Sequence, residues 1–190
     1  NTGTVSGTGE FVGGVVGYNR GTIANALWAK DLSYTPAAGY KKPTKAVGTQ
    51  SKTGANTVNV NGETLTNMKK AAIYDSWTDA SNNKIVAKIG NAGTAWRIYE
   101  GNTTPLLTSL FKGVVTVTGL DSKTTTYNGT TQTVDLSSVT YSPENIDTSH
   151  LYAGSNRNAG TYSTIYSDQQ GYDLVNTSTL IISPKTLTAT

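Results

Sequence analysis

One block, Phe11 to Ala26, constrains this chain more than any other stretch: Phe-Val-Gly-Gly-Val-Val-Gly-Tyr-Asn-Arg-Gly-Thr-Ile-Ala-Asn-Ala. Phe11/Val15 and Val12/Val16 are four apart, as on a helix face. Gly13, Gly14 and Gly17 argue against a helix, each costing about 1 kcal/mol relative to alanine. The block reads better as a strand running to Tyr18, a turn over Asn19 to Gly21, and a second short strand from Thr22. Glycine inside a strand marks close approach of another backbone or a layer of side chains. Stacked rungs of a parallel β-helix create that crowding, because neighbouring strands lie about 4.8 Å apart.

The rest of the chain supports an all-β fold. Thr, Gly, Asn and Ser dominate its 190 residues, and only 14% are charged. Thr favours strands, and Gly and Asn favour turns. The formal charge is +3, with Lys41, Lys42 and Lys45 the only local basic cluster. There is no basic stripe with interleaved aromatics, so nucleic acid is not the expected partner. No apolar run approaches the roughly 18 residues of a transmembrane helix, and no signal peptide is present. The chain begins at Asn1 in mid-pattern and stops just after Lys185-Thr-Leu-Thr-Ala-Thr, so it reads as a fragment of something longer. The absence of cysteine excludes disulfides and thiolate chemistry. It suits an exported bacterial protein that stays unfolded until it has crossed a membrane.

In chain order, Trp28 and Leu32 are expected to close the end of a core. Thr35 to Thr57, with Pro36, Pro43 and several glycines, reads as a long surface excursion. Thr57-Val-Asn-Val-Asn-Gly-Glu-Thr-Leu65 carries a hairpin signal, with Asn61-Gly62 suited to a type I′ turn. Thr66 to Tyr74 is the one helical segment, capped by Thr66, with Met68, Ala71, Ala72 and Tyr74 near one face. It is too short to stand alone, and Trp77, Ile85, Ile89, Trp96 and Ile98 are its candidate partners. From Gly113 the texture changes to short strands spaced by turn residues, which predicts an antiparallel β-sandwich. Its expected core is Val115, Val117, Val134, Leu136, Tyr162, Ile165, Leu174, Leu180 and Ile182. Leu187-Thr-Ala-Thr echoes Val115-Thr-Val-Thr, as the start of a further repeat at 185–190 would. The expected division is therefore 1–112 and 113–190.

Val12-Gly-Gly-Val-Val-Gly-Tyr-Asn19 followed by Gly21-Thr-Ile-Ala-Asn-Ala26 resembles one copy of the GLUG repeat. Trp77, Trp96-Arg-Ile98, Glu100-Gly101 and Thr104-Pro-Leu-Leu107 are similar to the segment that follows such repeats, although the usual Tyr before Pro is Thr104 here. Lys123-Thr-Thr-Thr-Tyr-Asn-Gly129, Ala159-Gly-Thr-Tyr162, Tyr172-Asp-Leu174 and Leu180-Ile-Ile-Ser-Pro-Lys-Thr-Leu187 resemble the YDG or MBG type of immunoglobulin-like repeat, with Tyr-Asn-Gly where that family has Tyr-Asp-Gly or Tyr-Gly-Asp. Both occur in filamentous-haemagglutinin-like adhesins exported by two-partner secretion. The resemblance implies the end of a right-handed parallel β-helix-like module followed by a small Ig-like sandwich. It implies a fragment of a secreted or cell-surface bacterial adhesin that attaches to host cells or biofilm matrix, with residues 113–190 a stalk or spacer repeat. Its partners would be a host glycan or receptor or a biofilm polysaccharide, and an outer-membrane transporter during export. The alternative is a glycan-binding or glycan-cleaving module of a carbohydrate-active surface protein.

Catalytic signals are weak. His150 is the only histidine, so neither a zinc site nor a Ser-His-Asp set has sequence support. Asp75 with Asp79, and Asp31 with Glu63, are the carboxylates that a polysaccharide-cleaving pair would draw on, but nothing in their spacing favours it. Asp-x-Asp calcium loops are absent. The chain is not expected to be an enzyme or to hold a metal or cofactor. Aromatic side chains, which stack on sugar rings, are the better candidates: Tyr18, Tyr34 and Tyr40 first, with Tyr141, Tyr152 and Tyr166 also surface candidates. Sequons at Asn102, Asn128 and Asn176 are expected by chance in so Thr-rich a chain.

Overall fold

The glycine block does stack against a second strand layer. In the computed structural model, which describes residues 1–9, 11–51, 54–88, 93–175 and 178–186, the chain is mostly β. It is 38% strand with one short helix and several small sheets, none closed or continued as a solenoid among the described residues. Contacts divide it into two units, Asn1–Met68 and Lys69–Thr190. The change of texture at Gly113 falls inside the second unit. Ile89, Asn176 and the echo at Leu187 to Thr190 lie outside the described residues.

In the first unit, β1 (Val16–Asn19) and β2 (Thr22–Ala29) are followed by β3 (Val47–Gln50) and β4 (Asn56–Glu63). β1 does not pair with β2. It runs parallel to β3 with Val16 opposite Val47, and β2 runs parallel to β4 with Thr22 opposite Asn56 and Ala29 opposite Glu63. The successive strands β1 and β2 thus lie alongside the successive strands β3 and β4, each pair in parallel. Leu27, Trp28, Ala29 and Met68 form the buried apolar set. The Trp28 ring is pressed between Gly14 and Gly62, where any added Cβ would meet it.

That packing corrects the hairpin expectation at Asn61-Gly62. β4 runs straight through both residues, because Gly62 is needed for the Trp28 ring rather than for a turn. The Thr35–Thr57 excursion is likewise interrupted by β3, which takes its partner from β1. Asn25 and Asn59 both adopt left-handed backbone, φ 52° and 53°, at matching points of β2 and β4. The Asn59 side-chain amide donates to Asn25 Oδ1 at 3.0 Å. The expected helix is shorter than its pattern: α1 is Leu65–Met68, and Lys70 is extended before a 3₁₀ turn at Ala71–Tyr74. Its cap is Thr64, whose Oγ1 accepts the Asn67 N–H at 3.1 Å, not Thr66.

The second unit contains β5 (Val86–Ala87), β6 (Trp96–Arg97), β7 (Leu106–Leu107), β8 (Val114–Thr118), β9 (Lys123–Thr126), β10 (Gln132–Thr133), β11 (Thr140–Ser142), β12 (Leu151–Ala153), β13 (Ser155–Asn156), β14 (Gly160–Ser163), β15 (Ile165–Ser167), β16 (Asp173–Val175) and β17 (Thr179–Ser183). Among the described residues three sheets are three-stranded: β5-β6-β7 and, after Gly113, β11-β8-β16 and β14-β17-β9. The latter two are not purely antiparallel as expected, since β16 runs parallel to β8 and β17 parallel to β9. The anticipated core is borne out: Val115, Val134, Tyr162, Ile165, Leu174, Leu180 and Ile182 are buried, and Val117 and Leu136 pack half-buried against them.

One core member lies upstream of Gly113. Tyr99 is fully buried with Val115, Ile165 and Leu174. Its hydroxyl donates to the Tyr172 carbonyl and accepts the Leu174 N–H, both at 2.9 Å. Arg97 is also buried, with Nε donating to Asp173 Oδ1 at 3.2 Å and its guanidinium 4.1 Å from the Tyr99 ring centroid. A buried guanidinium is tolerable only when paired and hydrogen-bonded. Here Nη1 and Nη2 supply further bonds to the Lys88, Ile98 and Leu174 carbonyls.

Candidate functional site

The glycine block fixes the position of the lysine cluster. Gly14 and Val15 N–H groups donate to the Lys45 and Ala46 carbonyls at 2.9 and 2.8 Å. Gly7 and Lys41 exchange a reciprocal pair of backbone bonds. Lys41, Lys42 and Lys45 are therefore mounted on backbone tied down at both ends, while their side chains stay exposed. Together with Gly9, Val12, Thr44, Gly48 and Thr49 they line an open groove of about 420 Å³.

None of the three foremost tyrosines lines this groove; Tyr34 lines a separate pocket with Val5, Trp28 and Pro43, and Lys42 borders both. Tyr34 is half-buried, its hydroxyl donating to the Val5 carbonyl, and the Lys42 ammonium sits 4.3 Å from its ring centroid. Tyr40 is 50% exposed immediately before Lys41, at a turn closed by its N–H to the Ala37 carbonyl. Tyr18 projects from β1, and its β3 partner Thr49 lines the groove. Its ring meets Phe11 edge-on with centroids 5.5 Å apart, and Arg20 lies 5.4 Å from its centroid. Hydrogen bonds from Arg20 and then Ser51 hold the Tyr18 phenol below its ordinary value. Phe11, 59% exposed, belongs to the same surface and had been assigned only to the strand pattern.

The aromatic candidates of the second unit sit elsewhere. Tyr141 packs against the Tyr99 cluster. Tyr152 and Tyr166 are cross-strand partners stacked at 5.2 Å, and the Tyr152 hydroxyl donates to Asp168 Oδ2 at 2.9 Å. His150, at the end of a 3₁₀ turn, shares that oxygen at 3.0 Å. The amide of Asn102 is engaged by the Glu100 and Ser163 carbonyls, and Asn128 Oδ1 closes a local turn onto Thr130.

The carboxylates considered for catalysis have local structural roles. Asp31 accepts the Leu65 N–H at 2.8 Å, and Glu63 accepts from Asn67 Nδ2 at 3.1 Å. Asp75 pairs with Lys84 at 3.8 Å, and Asp79 accepts the Ser81 and Asn83 N–H groups. Among the described residues no three His, Cys, Asp or Glu side chains gather as a metal site. No helix there is long and apolar enough to cross a membrane. No known family, curated protein or solved structure matches the chain. Among the described residues the groove presents three exposed lysines with Thr44 and Thr49, and no carboxylate or histidine lines it.

Proposed function

We propose that this chain is part of a secreted or cell-surface bacterial adhesin, mediating attachment to host cells or to biofilm matrix. The observation that carries the reading is the rung-like arrangement of the first unit. β1 and β2 stack in parallel register on β3 and β4, and the Asn59 amide bonds Asn25 where both strands turn through left-handed backbone. Amide ladders of this kind accompany stacked parallel strands, because each side chain repeats the backbone's bonding direction. On this reading the first unit is the end of a parallel β-helical shaft of the GLUG type. Residues 113–190 are an Ig-like spacer of the YDG or MBG type, its core carried by the sheets β11-β8-β16 and β14-β17-β9. Export would use an outer-membrane transporter.

A glycan-binding module in a carbohydrate-active protein is the second reading, favoured by the lysine-lined groove and by exposed Tyr18 and Tyr40 in the same unit. Beads coated with the chain should adhere to cultured cells or to a polysaccharide-rich biofilm, and free chain should compete. No polysaccharide offered should release reducing ends. Turnover abolished by a single carboxylate substitution would replace attachment with glycan cleavage.

A further inference from the structure

The chain's charge is unevenly divided. Residues 1–68 contain six Lys/Arg and three Asp/Glu, whereas residues 69–190 contain nine of each, so the whole formal charge of +3 belongs to the first unit. Two of the three acids there, Asp31 and Glu63, are engaged with Leu65 and Asn67, and the third, Glu10, lies outside the described residues. Three of the six cations line one groove. Among the described residues, none of Lys41, Lys42 and Lys45 has an ion-pair partner, and no acid lines the groove.

We propose that this groove binds a linear acidic polysaccharide, one whose uronic-acid residues carry carboxylates. The proposal rests on the attachment reading and names the ligand class for it. Three features select that class. The lysines are mounted on backbone already fixed by Gly7 and Gly14, so little main-chain order is lost on binding. Lysine is a compact point charge that meets isolated anions without demanding bidentate geometry, which matches carboxylates spaced along a sugar chain. Thr44 adds a polar side chain to the lining, and Tyr40, next to Lys41 in the chain, and Tyr18, paired with Thr49 across the strands, are exposed rings with apolar faces and polar rims.

A nucleic acid is the competing polyanion, and it fits less well. Its continuous phosphate charge is met by basic stripes with aromatics free to stack on bases. Here the groove is short, contains no arginine, and the Tyr34 ring is already covered by Lys42.

The test is equilibrium binding of the full chain to polygalacturonate, with dextran as the neutral control and duplex DNA as competitor. Polygalacturonate should bind saturably and dextran should not, and affinity should fall as salt screens the exposed charges. Replacing Lys41, Lys42 and Lys45 together by Gln should weaken binding about tenfold or more, as the loss of three exposed charge pairs implies. Replacing all three by Arg should restore it, which separates charge loss from misfolding. Equal binding of dextran, an unchanged Gln variant, or displacement by DNA at lower charge concentration would overturn the proposal. Coated beads that attach to cells while ignoring polygalacturonate overturn the ligand class and leave attachment standing. Beads that attach to nothing overturn both.

Discussion

Trp28 and its two glycines show how much of the first unit depends on single residues. The indole is buried with Gly14 against one part of the ring and Gly62 near Nε1. A methyl at either position has nowhere to go, because a packed interior does not yield by a full atom diameter. Gly14→Ala should therefore destabilise the first unit by about 1–3 kcal/mol, the usual cost of overpacking. Gly21→Ala, where an added Cβ meets nothing within 4 Å, should leave the denaturation midpoint nearly unchanged. The crowding at Gly13, Gly14 and Gly17 was legible from the sequence as glycine within a strand. The role of Gly62 was not, because Asn-Gly is also the strongest two-residue turn signal, and only the position of Trp28 across the ladder decides between them.

At the scale of elements, the sequence located strands better than it located their partners. The strands at Val114, Gly160 and Leu180 were each visible from β-branched residues between turn residues. That β16 and β17 join their sheets in parallel was not, because alternation along one strand carries no information about the direction of its neighbour. The short helix was misjudged for a related reason. Met68 is buried in the first unit and Ala71 and Tyr74 in the second, so apolar residues that read as one helical face serve two cores.

Charged contacts between elements can be tested by pH. Hydrogen bonds from the Ser149 hydroxyl and then the Lys112 ammonium, the latter at 2.9 Å, hold the Asp147 carboxyl well below its usual 3.8. A carboxylate depressed in the folded state stabilises fully above its unfolded value and loses that contribution as pH falls below it. Acid unfolding below about pH 4 should therefore be shallower in Asp147→Asn than in the parent, measured by near-ultraviolet circular dichroism. Identical acid limbs would mean that the exposed pair contributes nothing measurable, as many such pairs do.

For the whole molecule, the division at Met68/Lys69 has consequences for what folds alone. The sequence suggested a spacer beginning at Gly113, because the strand pattern begins there. Tyr99 fills the core between Val115, Ile165 and Leu174, and Arg97 neutralises buried Asp173. Residues 113–184 expressed alone should therefore be molten, with dye-binding apolar surface and no cooperative transition, whereas 69–190 should unfold cooperatively. A sharp transition in the shorter piece would show that Arg97 and Tyr99 are dispensable.

The candidate site was only partly readable from sequence. The lysine cluster and the three tyrosines were each visible, but the backbone bonds from Gly7 and Gly14 that tie down Lys41 and Lys45 join residues more than thirty positions apart and leave no local trace. If binding belongs to that groove and the second unit is a spacer, hydrogen exchange on the full chain with and without saturating polygalacturonate should reveal it. Protection should be gained at amides of residues 11–18 and 41–49, with residues 113–175 unchanged. Protection centred on the Tyr152 and Tyr166 strands, with 41–49 unaltered, would place recognition in the second unit and contradict the assignment.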